Sequence, residues 1–116
     1  MADITIFHNP ACGTSRNALA AIRAAGHAPK VVEYLKTGWT MPQLKGLLAA
    51  MHARPRDILR IRGTPAEELG LTDPAASDET ILAAMAAHPI LVERPIVVTS
   101  KGTVLARPVE KLNGLI

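Results

Sequence analysis

The sequence predicts an α/β fold in which one mixed β-sheet is covered by helices. Three observations predict it. Short apolar runs of β character lie near both ends of the chain, the segments between them carry apolar residues at helical spacing, and the last third holds two strand-like runs joined by a tight turn. The order is β-α-β, a helical middle, then β-β-α, which fits one sheet rather than two domains or an internal repeat.

Ile4, Ile6 and Phe7 form the first strand, which ends at His8-Asn9-Pro10, where proline removes a backbone donor and favours a turn. From Ser15 to Ala25 a helix is expected, with Ala18, Leu19, Ile22 and Ala25 on one face and Gly26 closing it. Lys30 to Leu35 reads as a second strand, with Val31, Val32 and Tyr34 suited to a partly buried sheet. Thr40 is an N-cap candidate for the next helix, Pro42 suits an early helical position, and Leu44, Leu47, Leu48 and Met51 supply the buried stripe. Pro55, Gly63, Pro65 and Gly70 break the following stretch into short helical pieces and turns. Asp78 and Glu79 precede a helix whose face is Ile81, Leu82 and Met85. Ile96 to Thr99 then forms a strand, Ser100-Lys101-Gly102 a turn, and Thr103 to Ala106 the hairpin partner. Pro108 leads into a short terminal helix running from Val109 toward Leu115.

Hydrophobic residues make up 48% of the 116-residue chain, enough for a packed core without disulfides. Aromatics reach only 3%, and Phe7, Tyr34 and Trp39 are isolated, which argues against a base-stacking platform for nucleic acid. The net charge of +3, from 13 Lys and Arg against 10 Asp and Glu, contains no long basic run and suits a small anion better than a DNA backbone. Met1-Ala2-Asp3 leads straight into the first strand without a leader, and no run approaches the roughly 20 apolar residues of a membrane span. A cytoplasmic protein without a membrane partner is therefore expected, and a single cysteine suits that reducing setting.

The lone cysteine, Cys12, carries the chemistry. It sits in His8-Asn9-Pro10-Ala11-Cys12-Gly13-Thr14-Ser15-Arg16, between the first strand and the first helix. One thiol closes no internal disulfide, so redox work at Cys12 needs a thiol from another molecule. If the helix begins at Ser15, Cys12 lies in the preceding loop, near the positive end of the helix and its unpaired amides, which favour a thiolate. A helix end and one guanidinium together can supply the roughly 2.7 kcal/mol that moves a thiol down by about two pH units. Gly13 permits close backbone approach, and Thr14 and Ser15 supply hydroxyls, so a tetrahedral oxyanion can rest on the amides there. Ser15 stands where a Cys-x-x-Cys pair would keep its second thiol; its hydroxyl can orient the sulfur but forms no disulfide. Unread as a motif, Cys12 would be a small buried residue.

Arg94 and Arg107 fall at the same end of the predicted hairpin, next to Pro95 and Pro108, and each offers a planar donor fork for an oxyanion. Taken singly, Arg60, Arg94 and Arg107 each read as ordinary solvated or structural charges. His8 can tune the thiolate or serve structurally; His27, His52 and His88 look peripheral. The 4 histidines and one cysteine show no Cys-x-x-Cys or His-x-x-x-His pair, so no metal is expected.

These residues closely resemble the glutathione/glutaredoxin-coupled arsenate reductase family. The resemblance runs through Ile6 to Asn17, Leu59-Arg60, His88-Pro89-Ile90-Leu91, Arg94 to Thr99 and Arg107-Pro108, and so covers nearly the whole chain. It implies one thioredoxin-like arsenate reductase domain over 1–116, with an enlarged helical insertion over approximately 40–88. It implies Cys12 as nucleophile, His8 and Ser15 as tuners of its thiolate, and Cys12, Gly13, Thr14, Arg60, Arg94 and Arg107 as the oxyanion site. Pro95 matches a cis-proline beside that site. The implied reaction reduces arsenate to arsenite through a Cys12 thiol-arsenate adduct, with glutathione as co-substrate, glutaredoxin as partner and no tightly bound cofactor. A monomer is expected. Position 63 is Gly in a segment where some relatives carry a polar residue. Two other readings are a glutathione-linked thiol oxidoreductase with another substrate and a non-enzymatic, redox-responsive regulatory protein, the latter weakened by the absence of a second cysteine.

Overall fold

A computed structural model describes residues 3–116; Met1 and Ala2, read above for a leader, lie outside the described residues. The chain forms two compact units, one made of the segment up to Thr37 with Arg94–Ile116, the other of Gly38–Glu93.

The first unit holds β1 (Thr5–Phe7), α1 (Gly13–Ala24), β2 (Lys30–Val32), α2 (Tyr34–Thr37), β3 (Ile96–Thr99) and β4 (Gly102–Leu105). The sheet order is β2-β1-β3-β4, so the first strand to be made is a central one. β1 runs parallel to β2, with Ile6 opposite Val31, and antiparallel to β3, with Ile6 opposite Val97. A central strand is covered on both faces and needs apolar residues at successive positions, which Ile6 and Phe7 provide, both buried. Ile4, Ile6 and Val97 from the sheet pack with Ala18 and Ile22 from α1 and with Ala106 and Leu112. The helix meets that core because Ser15, Ala18 and Ile22 fall at spacings of three and four on one face.

Several boundaries differ from the sequence reading. The strand expected over 30–35 stops at Val32, because the Glu33 carbonyl accepts from Lys36 N–H at 2.9 Å and Thr37 N–H at 3.1 Å, turning the chain into α2 and burying Tyr34 as a helical residue. The hairpin partner begins one residue early because Gly102 pairs with Thr99. The Thr99 hydroxyl donates to the Gly102 carbonyl at 2.9 Å and accepts from the Lys101 and Gly102 N–H groups at 3.1 Å, which pins the turn. The terminal helix shrinks to a 3-10 turn over Val109–Leu112, followed by Gly114 at φ 84°, a left-handed conformation that ends regular helix.

The second unit holds α3 (Met41–Met51), a 3-10 turn over Pro55–Ile58, α4 (Asp78–Ala87) and a 3-10 turn over Pro89–Leu91. Thr40 caps α3 as expected: its hydroxyl accepts from Gln43 N–H at 3.2 Å while the Gln43 side chain accepts from Thr40 N–H at 3.4 Å. Thr40→Ala is expected to cost about 1 kcal/mol of stability and to lower Tm by about 4 °C, read by thermal denaturation; an unchanged Tm would show that water replaces the cap without loss. The cap of α4 is Ser77, whose hydroxyl accepts from Thr80 N–H at 3.1 Å. Asp78 and Glu79 therefore stand inside the first turn, where carboxylates face the positive helix end. Gly63 sits at φ 74°, a turn geometry that glycine enters without steric cost. Among the described residues no helix is long and apolar enough to cross a membrane.

Candidate functional site

The site grows out of the end of β1. His8 continues the strand, its N–H donating to the Val32 carbonyl at 2.8 Å. Asn9 then reverses the chain. Its side-chain oxygen accepts from Ala11 N–H at 3.0 Å and its carbonyl accepts from Cys12 N–H at 3.0 Å, an Asx turn that delivers Cys12 to the start of α1. The Arg16 guanidinium braces the loop by donating to the Pro10 carbonyl at 2.9 Å.

The helix begins at Gly13, two residues before the expected Ser15, and Cys12 is its N-cap rather than a member of an upstream loop. The Cys12 carbonyl accepts the first helical bond, from Arg16 N–H at 3.0 Å. No side chain caps the helix and no acidic residue lies in its first turn. The positive end of the helix is thus left for whatever anion sits at Cys12. Gly13 and Thr14 contribute backbone amides of that first turn.

Cys12 is 9% exposed, so its thiol is largely out of water but reachable. Burial pushes its pKa up; the Ser15 backbone N–H, then Arg94 by hydrogen bonding and charge, then Arg107 pull it down, and the balance leaves it lowered to about 7. Arg107 Nη1 lies 3.7 Å from the sulfur and also donates to the Arg94 carbonyl at 3.1 Å. Arg94 Nε and Nη1 are buried with no hydrogen-bond partner, which leaves donors of a charged fork unspent beside the thiol. Because the thiolate is the nucleophile, reactivity rises with pH through the thiol pKa. The rate of Cys12 alkylation by iodoacetamide is expected to reach half its maximum near pH 7; a midpoint near 8.5, the ordinary value, would show that the amide and the arginines do not act on the sulfur.

His8 and Ser15 are joined to each other. His8 Nδ1 lies 2.6 Å from the Ser15 hydroxyl oxygen, which also accepts from Asn9 N–H at 3.0 Å. Ser15 is fully buried and meets the thiol through its backbone N–H, while its hydroxyl ties the helix to the loop. Burial lowers the His8 pKa, with Glu33 opposing and the charges of Arg23 and Arg16 adding to the decrease.

Pro95 follows a cis Arg94-Pro95 bond, and its carbonyl accepts from Ala106 N–H at 2.9 Å. Arg107-Pro108 is also cis, which the sequence reading did not anticipate. The structure therefore brings Cys12, His8, Ser15, Arg94, Pro95 and Arg107 together in the first unit. Arg60 belongs to Gly38–Glu93, where its Nη1 donates to Glu93 Oε1 at 2.8 Å. Sequence reasoning passed over Asn9, Arg16 and Glu93. The Asn-Pro pair was a signal for the first; nothing local marks the other two. Among the described residues no group of three His, Cys, Asp or Glu side chains is placed to hold a metal ion.

A four-stranded mixed sheet with an acidified thiol capping the helix after its first strand defines a thioredoxin-like thiol protein. A sequence model of the ArsC family matches residues 7–115, and the chain belongs to that family. It is 56% identical over 107 residues to arsenate reductase ArsI2 of Synechocystis, covering 92% of this chain and 76% of that one. It is 49% identical over 110 residues to the arsenate reductase of Escherichia coli, covering 95% of this chain and 78% of the other. The solved arsenate reductase of Vibrio cholerae superposes with a TM-score of 0.92 at 37% identity, covering 98% of both chains.

Proposed function

We propose that this protein reduces arsenate to arsenite with Cys12 as its nucleophile. The observation that carries the reading is a thiol near pH 7 at an uncapped helix start, with two guanidiniums beside it. The chemistry follows from those groups. Arsenate is a tetrahedral oxyanion that repels a thiolate; Arg94, Arg107 and the amides of Gly13 and Thr14 offset its charge and let the sulfur approach arsenic. The Cys12 sulfur bonds to arsenic and an oxygen leaves as water, giving a thiol-arsenate adduct. Glutathione attacks next, and two thiol electrons reduce As(V) to As(III). The glutathione sulfur bonds to the Cys12 sulfur while the S–As bond breaks with its electron pair on arsenic, so arsenite departs and Cys12 is left as a mixed disulfide with glutathione, which glutaredoxin reduces to restore the thiol.

His8 with Ser15 is the support that holds the helix start, and so the thiolate, in place. Glutathione and glutaredoxin supply the reducing equivalents because one cysteine leaves no internal thiol to do so. Such chemistry belongs in a reducing compartment, the cytoplasm.

The test is arsenite formation from arsenate with glutathione and glutaredoxin present, each thiol component then withdrawn in turn. Turnover that requires both supports the reading. Failure to form arsenite with all components present overturns it, and turnover on a disulfide substrate instead would assign a glutathione-linked oxidoreductase.

A further inference from the structure

The loop that presents Cys12 is held by hydrogen bonds rather than by packing. Pro10, Ala11 and Gly13, which flank the thiol, are exposed, whereas Asn9 is only 5% exposed. Asn9-Pro10-Ala11-Cys12 is a four-residue turn closed by Cys12 N–H, which donates to the Asn9 carbonyl at 3.0 Å, and it carries the residue types such turns favour, asparagine first and proline second. The Asn9 side-chain oxygen closes it again from within by accepting from Ala11 N–H at 3.0 Å. Toward the helix, the Asn9 N–H donates to the Ser15 hydroxyl at 3.0 Å. One buried residue therefore holds both Cys12 and Ser15, the two positions whose separation sets where the sulfur lies relative to the Ser15 amide. Two of these links use the Asn9 main chain and survive substitution; the side-chain link does not.

We infer that Asn9 is a positioning residue for the nucleophile: the turn its side chain closes fixes the Cys12 sulfur over the amides that open α1. Without that acceptor the Ala11 N–H turns to water, and the exposed Pro10–Ala11 segment gains freedom that the Cys12 main chain shares. A hydrogen bond weakens steeply as its geometry drifts, so the Ser15 amide loses part of its hold on the sulfur. The charged groups that face the thiol, Arg94 and Arg107, come from the far end of the chain and are not touched by the change. His8 stays on the Ser15 hydroxyl and Arg16 still braces the Pro10 carbonyl, so the loop is loosened and not unfolded. The effect on the thiol does not depend on what the thiol attacks; only the effect on arsenite formation rests on the arsenate reading.

The experiment compares wild type, Asn9→Ser and Asn9→Ala by the pH dependence of Cys12 alkylation with iodoacetamide, by steady-state arsenite formation with glutathione and glutaredoxin, and by thermal denaturation. In Asn9→Ala the alkylation midpoint is expected to rise from about 7 by about half to one pH unit. Alkylation at pH 7 then slows about two- to fivefold, while the rate at a pH where both thiols are ionised stays within about threefold of wild type. In the same variant kcat/KM for arsenate falls about ten- to a hundredfold. Asn9→Ser, whose hydroxyl closes the same kind of turn more weakly, falls between alanine and wild type. A lower Tm with a midpoint that stays at about 7 would show that Asn9 serves stability alone, and overturns the inference whatever the kinetics. Should the alanine variant not fold, Asn9→Ser carries the same test, with a raised midpoint in support and an unchanged one against. Wild type that forms no arsenite overturns the arsenate reading alone, since the midpoint decides this inference without it.

Discussion

Cys12→Ser is expected to reduce arsenite formation by a factor on the order of 10⁴ or more, because it removes the nucleophile itself. The replacement is nearly isosteric and keeps the helix start, the Asn9 turn and both nearby guanidiniums. What changes is the acidity of the reacting atom. The same amide and charges that hold the thiol near pH 7 act on an alcohol whose ordinary ionisation lies far higher, so the serine stays neutral at working pH. Nor does another thiol stand in for it, since the chain holds 1 cysteine. The measurement is arsenite release with glutathione and glutaredoxin, paired with circular dichroism to show that the fold is retained. Turnover by the serine variant equal to that of wild type would sink the assignment of Cys12 as nucleophile.

Arg94→Ala is expected to lower kcat/KM for arsenate by about 10²- to 10³-fold, the usual loss when one charge-stabilising donor is taken from a preorganised site. It is also expected to move the Cys12 alkylation midpoint up from about 7, because Arg94 acts on the thiol through both a hydrogen bond and its charge. The fold should survive. Arg94 Nε and Nη1 have no partners to orphan, and Arg107 is held by the Arg94 main-chain carbonyl, which alanine keeps. The variant thus separates the charge of Arg94 from the placement of Arg107. Arsenate kinetics like those of wild type, from a folded variant, would remove Arg94 from the site.

The part of the fold legible in the sequence is the part dictated by local pattern. Ala18 and Ile22 announced a helix face, Thr40 with Pro42 announced a helix start, and the run from Ile96 to Thr99 announced a strand, because spacing, capping chemistry and β-branching act within a few residues. Boundaries moved where a distant or alternative hydrogen bond won. β2 ended at Val32 because Glu33 could start a helical turn that buries Tyr34, and α1 began at Gly13 because the Asn9 turn places Cys12 as the cap.

The site divides in the same way. Cys12, its glycine-containing turn and the following hydroxyls were legible because they are contiguous, and the absence of a second cysteine by itself dictated an external thiol. Local sequence could not say that Ser15 meets the sulfur with its amide and His8 with its hydroxyl, nor that Arg107 crosses from the far end of the chain to within 3.7 Å of the thiol. It was equally silent on the pairing of Arg60 with Glu93, which are 33 positions apart and are brought to 2.8 Å beside a single bridge. Sequence alone thus determined which chemistry the chain carries, since residue type sets acidity and nucleophilicity. Only the tertiary structure decided which groups share a hydrogen bond or a field, since those interactions fall off within a few ångströms and depend on strand pairing, not on distance along the chain.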